Sequence, residues 1–179
     1  MDNEQFRDGM RRLTAGVNII TTIDGDGIRY GLTATAVCSL TTEPPALIAC
    51  VNLNSSISRF IEHSAVFAVN VLTDTHRALA EAFAGRAGLA REDRFTVGSW
   101  MTSLTGAPVL SDAAASFECR LLEARPFGTH LILIGDVVKT HLGSSTDSPL
   151  LYGNGAFKGS RPLMADLARD HQASRSATA

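Results

Sequence analysis

Residues 31–40 read Gly-Leu-Thr-Ala-Thr-Ala-Val-Cys-Ser-Leu, and nearly every side chain in the stretch is small or carries a hydroxyl. A plain core strand needs bulk, not this density of small polar groups. Small side chains let a flat ligand lie close to the backbone. Strand N–H and C=O groups can then meet the polar edge of a ring, and Thr or Ser hydroxyls add donors. An isoalloxazine ring has that shape: apolar faces and a hydrogen-bonding pyrimidine edge. A tightly packed strand at a barrel corner explains the same composition, and this segment alone does not separate the two readings.

Cys50-Val51-Asn52-Leu53-Asn54-Ser55-Ser56 is a strand that ends in a polar turn and enters a helix. Free N–H groups at a helix start, with two serines, suit a phosphate; simple capping by Ser55 is the plainer alternative. Phe83-Ala84-Gly85 looks like a helix end closed by glycine. The loop that follows carries Arg86, Arg91 and Arg94, which could meet a phosphate or an adenine. His130, after Pro126-Phe127-Gly128-Thr129, reads from the residues alone as a half-buried histidine satisfied by backbone. His63 suits a helix C-terminus, and His76, His141 and His171 read as surface residues. Trp100 reads as core or interface.

The absences narrow the chemistry. GxGxxG, GxxxxGK[ST] and GxSxG are all missing, so the familiar glycine loops and the nucleophile elbow are not in use. Cys38, Cys50 and Cys119 are odd in number and widely spaced, with no CxxC. They read as reduced, mostly buried thiols rather than a disulfide framework or zinc site. Hydrophobic residues make up 45% and charged residues 19% of 179, with net charge -2. That is enough for a core, and without a basic patch it argues against nucleic acid. The longest apolar run, 46–51, is far short of the roughly 20 residues of a membrane span. The start, Met-Asp-Asn-Glu-Gln, is unlike a signal peptide, so a cytoplasmic location is expected.

Several elements must position these groups. Phe6, Met10 and Leu13 at i, i+4 and i+7 predict a helix capped by Asp2 or Asn3 and closed near Gly16. Strands are predicted over 17–23 and 28–35 around the Asp24–Gly27 turn, over 46–53 after Pro44-Pro45, and over 65–72. Helices are predicted from Ser55 and over 75–83, and a loop over 85–98. Residues 98–110 read as one or two short strands. Long strands over 113–123 and 130–141 are joined by 124–129, and a short hairpin lies at 150–157. Residues 1–163 form one domain; 164–179 is a tail, partly disordered. Strands outnumber helices without a βαβ rhythm, which points to a mostly antiparallel barrel with peripheral helices.

In order and spacing these segments resemble the short-chain flavin reductase family, from about Phe6 to Lys158. The resemblance includes Thr14-Ala15-Gly16-Val17, the 31–40 stretch, Pro44-Pro45, Cys50-Val51-Asn52, Ser55-Ser56 and Phe67–Leu72. It continues through Phe83-Ala84-Gly85, Asp93-Arg94-Phe95, Phe117-Glu118-Cys119, His130 with Ile134-Gly135-Asp136-Val137, and Leu150-Leu151-Tyr152.

The resemblance implies a Greek-key split β-barrel and a homodimer. Thr33, Ala34, Thr35, Ala36 and Ser39 would line the flavin, Cys50, Val51 and Asn52 would flank its ring, and Ser55 and Ser56 would hold phosphate. Phe83, Ala84 and Gly85 would close the far side. Thr14, Gly16, His130 and Tyr152 would shape the nicotinamide side. No catalytic group is expected beyond these positioning residues, His130 being the one candidate, because hydride transfer depends on stacking and orientation. The implied reaction reduces FAD or FMN, FAD slightly favoured, with NADH ahead of NADPH. Reduced flavin would pass to a partner monooxygenase acting on an aromatic compound. The rivals are a flavin-bound oxidase of the pyridoxamine-phosphate oxidase type and a non-enzymatic flavin or haem carrier. No metal site is expected.

Overall fold

The structure is a computed structural model, and it describes residues 2–144 and 147–161; the predicted 164–179 tail lies outside these. Helix α1 spans Asn3–Arg11, and the Glu4 N–H donates to the Asp2 carboxylate at 3.0 Å. It ends at Arg11 rather than near Gly16, which instead belongs to β1, Ala15–Gly16. No α1 residue is buried, so Phe6 and Met10 (and Leu13 just beyond) meet no core.

Strands β2 (Asn18–Ile23), β3 (Arg29–Ala34), β4 (Val37–Thr42) and β5 (Pro45–Asn52) precede α2 (Ser56–Ser64) and β6 (Val66–Val71). A 3₁₀ turn, Asp74–His76, leads into α3 (Arg77–Phe83), and a second, Glu92–Thr96, lies inside the predicted loop. Short β7 (Trp100–Thr102) and β8 (Pro108–Leu110) pair with each other, matching the short strands expected there. Then come β9 (Ala115–Phe127), β10 (His130–Leu142), β11 (Leu151–Gly153) and β12 (Ala156–Lys158). The last two form the expected hairpin, with Asn154 at φ 54 and Gly155 at φ 77 in its turn.

The protein is mostly β with few helices, and among the described residues every strand pairing is antiparallel. The large sheet has the order β3-β2-β6-β9-β10-β5-β4 and is open, with β3 and β4 as its edges. Only Thr35 and Ala36 link these two edges. The three Cα–Cα steps from Ala34 to Val37 span roughly 11 Å at most, so the sheet must curl until its edges come together at that point. Reading one strand over 28–35 without a second over 37–42 missed this crossing.

The joining segment between the long strands is also corrected: residues 124–127 continue β9, and only Gly128-Thr129 turn, with Gly128 at φ 57. Pro126 is tolerated because β6 pairs with β9 only as far as Arg120, leaving one side of 122–127 without a strand.

One core cluster packs the inner faces of β5, β6 and β10 against α2, through Leu47, Ala49, Val51, Ile57, Ile61, Phe67, Leu131 and Leu133. A second packs α3 and the Phe95 turn against β2 and β8. Trp100 packs against this second cluster as expected, 5.3 Å from Phe83. Asn70 ties the layers together: its amide donates to Ile19 O, and its oxygen accepts from Leu110 N–H and Ser116 Oγ. No helix among the described residues is long and apolar enough to cross a membrane.

Candidate functional site

The pairing register decides which groups face away from the core. Leu47, Ala49 and Val51 point inward, so Ile48, Cys50 and Asn52 point outward, opposite Ile134, Ile132 and His130 respectively. At the end of this outer face, where the sheet edges meet, lies a cavity of about 430 Å³. That size suits a small organic ligand. Gly31 to Ala36 form one wall, Cys50 to Asn52 another, Ser55 and Ser56 a third, with Phe83, Ala84, Arg91, Arg94 and His130 completing it.

Eleven of the thirteen residues read as flavin-contacting thus share one cavity: Thr33, Ala34, Thr35, Ala36, Cys50, Val51, Asn52, Ser55, Ser56, Phe83 and Ala84. Ser39 lines an adjoining hollow instead, together with Gly16. Gly85 is the turn just past α3, at φ 74. Gly31, Leu32, Arg91 and Arg94 line the cavity as well, beyond the residues assigned to the flavin from the sequence. The two arginines were visible as loop cations, but which would turn inward depends on the 92–96 turn.

Individual groups are spent in ways the sequence hides. The Thr33 hydroxyl donates to Ala80 O at 2.7 Å, pinning β3 to α3 rather than facing a ligand. Ser55 occupies the N-cap position of α2 but its hydroxyl donates to Asn52 O, so no side chain caps the helix. His130 is exposed, with Nδ1 2.9 Å from the Thr129 hydroxyl, not half-buried on backbone. His76 and His141 are half-buried and paired with Asp112 and Glu118, not surface residues. Of the three thiols only Cys119 is buried; Cys38 is exposed. Burial, and then Cys38, push the Cys50 thiol upward, so it stays protonated in the cavity wall.

The site is electropositive. Arg91, Arg94 and the uncapped start of α2 face it, and among the described residues no carboxylate lines it. Arg94 reaches Phe83 O with Nη1 at 3.5 Å, while its buried Nε has no partner among the described residues. A Cβ on Gly31 would lie 2.6 Å from Phe83 Cε1, so glycine lets the Phe83 ring pack directly against β3. A flat ligand with an anionic tail fits both the absent side chains and the donors.

The residues first linked to nicotinamide are dispersed. His130 lines the main cavity, Gly16 the adjoining hollow, and Tyr152 two further hollows. Thr14 packs on Gly153, where a Cβ would lie 2.5 Å from its hydroxyl. Thr35 borders all four spaces and is their common point.

Residues 10–161 match the family described as the flavin reductase like domain. The chain belongs to the flavin reductase like family. It is accordingly an oxidoreductase. It is 46% identical over 138 residues to the FMN reductase (NADH) RutF of Ancylobacter novellus, covering 77% of this chain and 75% of that one. It is 37% identical over 163 residues to the 4-hydroxyphenylacetate 3-monooxygenase reductase component of Escherichia coli, covering 91% and 93%. Among solved structures, a flavin reductase from Haemophilus somnus superposes with TM-score 0.83 at 37% identity, over 89% of this chain and all of that one (100%).

Proposed function

We propose that this flavin reductase reduces free FMN or FAD with NADH and supplies the product to a partner monooxygenase acting on an aromatic compound. The observation that carries the reading is the cavity whose glycine- and alanine-rich wall, 31–36, faces Arg91, Arg94 and the start of α2. In this reading Thr33 to Ala36 and Cys50 to Asn52 hold the ring. Ser56, the free N–H groups at the start of α2, Arg91 and Arg94 hold the phosphate, with Ser55 fixing the turn before them through Asn52 O, and Phe83 and Ala84 close the far side. His130 borders the place where the nicotinamide enters, with Thr14, Gly16 and Tyr152 on the opposite approach. When both ligands are bound, a hydride passes from nicotinamide C4 to flavin N5, leaving NAD⁺ and reduced flavin. The protein's part is to stack the rings, exclude water and offer N–H donors to the charge gained.

The relatives' names bear on the finer points. The Ancylobacter protein is named for FMN and NADH, which moves FMN ahead of FAD. The Escherichia coli protein is named as a monooxygenase component, which supports a monooxygenase partner. We read the curled sheet as a split barrel, the protein as a homodimer through its outer sheet face, and its location as the cytoplasm.

The test is NADH oxidation followed by absorbance in air, with purified protein and added FMN or FAD. Flavin-dependent loss of NADH is expected and ranks the two flavins. No oxidation with either flavin, using NADH or NADPH, would overturn the reading and leave the oxidase or the carrier.

A further inference from the structure

A second groove, of about 530 Å³, lies between α1 and the β11–β12 turn. It meets the flavin cavity at Thr35, which borders both. Arg7, Met10, Arg11 and Leu13 form its α1 side, and Tyr152 lies across from them. A hollow of about 160 Å³ also bordered by Thr35 and Tyr152 adds Arg86. The Arg86 guanidinium lies 5.8 Å from the centre of the Tyr152 ring. Among the described residues no carboxylate lines either space. Asp8 pairs with Arg11 at 3.3 Å, but both are well exposed and water screens the pair.

Helix α1 is unexplained by packing. It buries nothing, and Phe6, Met10 and Leu13 are 53%, 48% and 63% exposed. Its end is held by a backbone bond from Asn154 N–H to Arg11 O at 2.6 Å. What α1 does present to the groove is two apolar side chains flanked by two guanidiniums, opposite an aromatic ring. A purine face suits Met10, Leu13 and Tyr152, and phosphate oxygens suit the planar forks of Arg7 and Arg11.

We propose that this groove takes the adenosine diphosphate end of the nicotinamide dinucleotide, with Arg7 and Arg11 holding its phosphates. The assignment rests on the flavin reading of the main cavity. There Ser56, Arg91 and Arg94, none of which borders the groove, already serve the anionic tail of the flavin. The second ligand then reaches the ring from the Thr35 side.

The test is calorimetric binding of ADP-ribose to the wild-type chain and to the double variant Arg7→Ala/Arg11→Ala. Loss of about tenfold or more in affinity is expected, because two charge-assisted contacts disappear. The KM for NADH should rise in parallel while the KM for flavin stays where it was. An unchanged melting temperature is the control for folding, which α1 permits because none of its side chains is buried. Equal ADP-ribose affinity in both proteins, or no binding to the wild type, would overturn the proposal. So would a rise in KM for FAD but not for FMN or NADH, which would give the groove to the flavin's own adenylate. Arginine-dependent ADP-ribose binding without any flavin reduction would keep the groove and sink the reductase reading instead.

Discussion

Glu118 has no solvent exposure, yet it is placed to stay ionised. Burial alone would push its carboxyl upward. Hydrogen bonds from His141, the Thr105 N–H, Ser103 and the Thr105 hydroxyl outweigh that and bring it down to about 2. His141 Nε2 lies 2.7 Å away, the Thr105 N–H 2.7 Å and its hydroxyl 2.9 Å. The pair ties the β7–β8 loop to the long strands. A carboxylate held below its unfolded value of 4.5 stabilises the fold above that value and loses the effect as the pH falls toward 2. The full difference is roughly 3 kcal/mol. Stability against denaturant should therefore fall steadily from about pH 5 downward. Glu118→Gln should be less stable at neutral pH and show a flatter acid limb. An equally steep limb in the variant would place the acid sensitivity elsewhere. Phe117-Glu118-Cys119 was legible as a family segment, but the partners of the carboxylate come from residues 103–105 and 141, which no local pattern connects to it.

At the scale of elements, α2 shows how a helix can be left open for use. Ser55 donates to Asn52 O, and Ser58 donates to Leu53 O and Ser55 O, so these hydroxyls stabilise the turn instead of the first helical N–H groups. The positive end of the helix dipole is thus unopposed by protein side chains at the cavity. Placing a carboxylate there should relieve the helix and block the anion. Ser56→Asp is expected to raise unfolding stability by about 0.5 kcal/mol while weakening FMN binding, read by quenching of flavin fluorescence, about tenfold. A variant that binds FMN as the wild type does would remove the α2 start from the phosphate site. Turn chemistry made much of this level readable. Asp24 accepts from the Asp26 and Ile28 N–H groups in its turn, and Asp2 caps α1. The extension of β9 through Pro126 was not readable, because a proline marks a strand edge only once its neighbours are known.

For the molecule as a whole, the decisive feature is the curl that brings the two sheet edges together at Thr35-Ala36. It gathers residues from 31–36, 50–56, 83–94 and 130 into one cavity. The same curl leaves an outer face where Ile48, Ile132 and Ile134 are half-buried at best, beside a β9–β10 end with Leu122 61% and Phe127 75% exposed. An apolar face of this kind is costly in water and suits burial against a second copy. Sedimentation equilibrium should give twice the chain mass. Phe127→Asp with Leu122→Asp should shift the protein toward monomer, whereas a wild type that stays monomeric at high concentration would rule the face out as a self-interface.

The sequence by itself determined the alternation of the strands, the capping of α1, the turns at Asp24–Gly27 and Asn154-Gly155, and the chemical character of the 31–36 wall. Each follows from side chains within a few residues of one another, where sterics and local hydrogen bonds act directly. Only the tertiary structure decided that Thr33 would be spent on Ala80, that Arg91 and Arg94 would turn inward, and that Ser39 would face another hollow. It also decided that His130 would stand opposite Asn52 and that α1 would stay off the core. Those outcomes depend on sheet order and curvature, which are set by contacts between residues far apart in the chain.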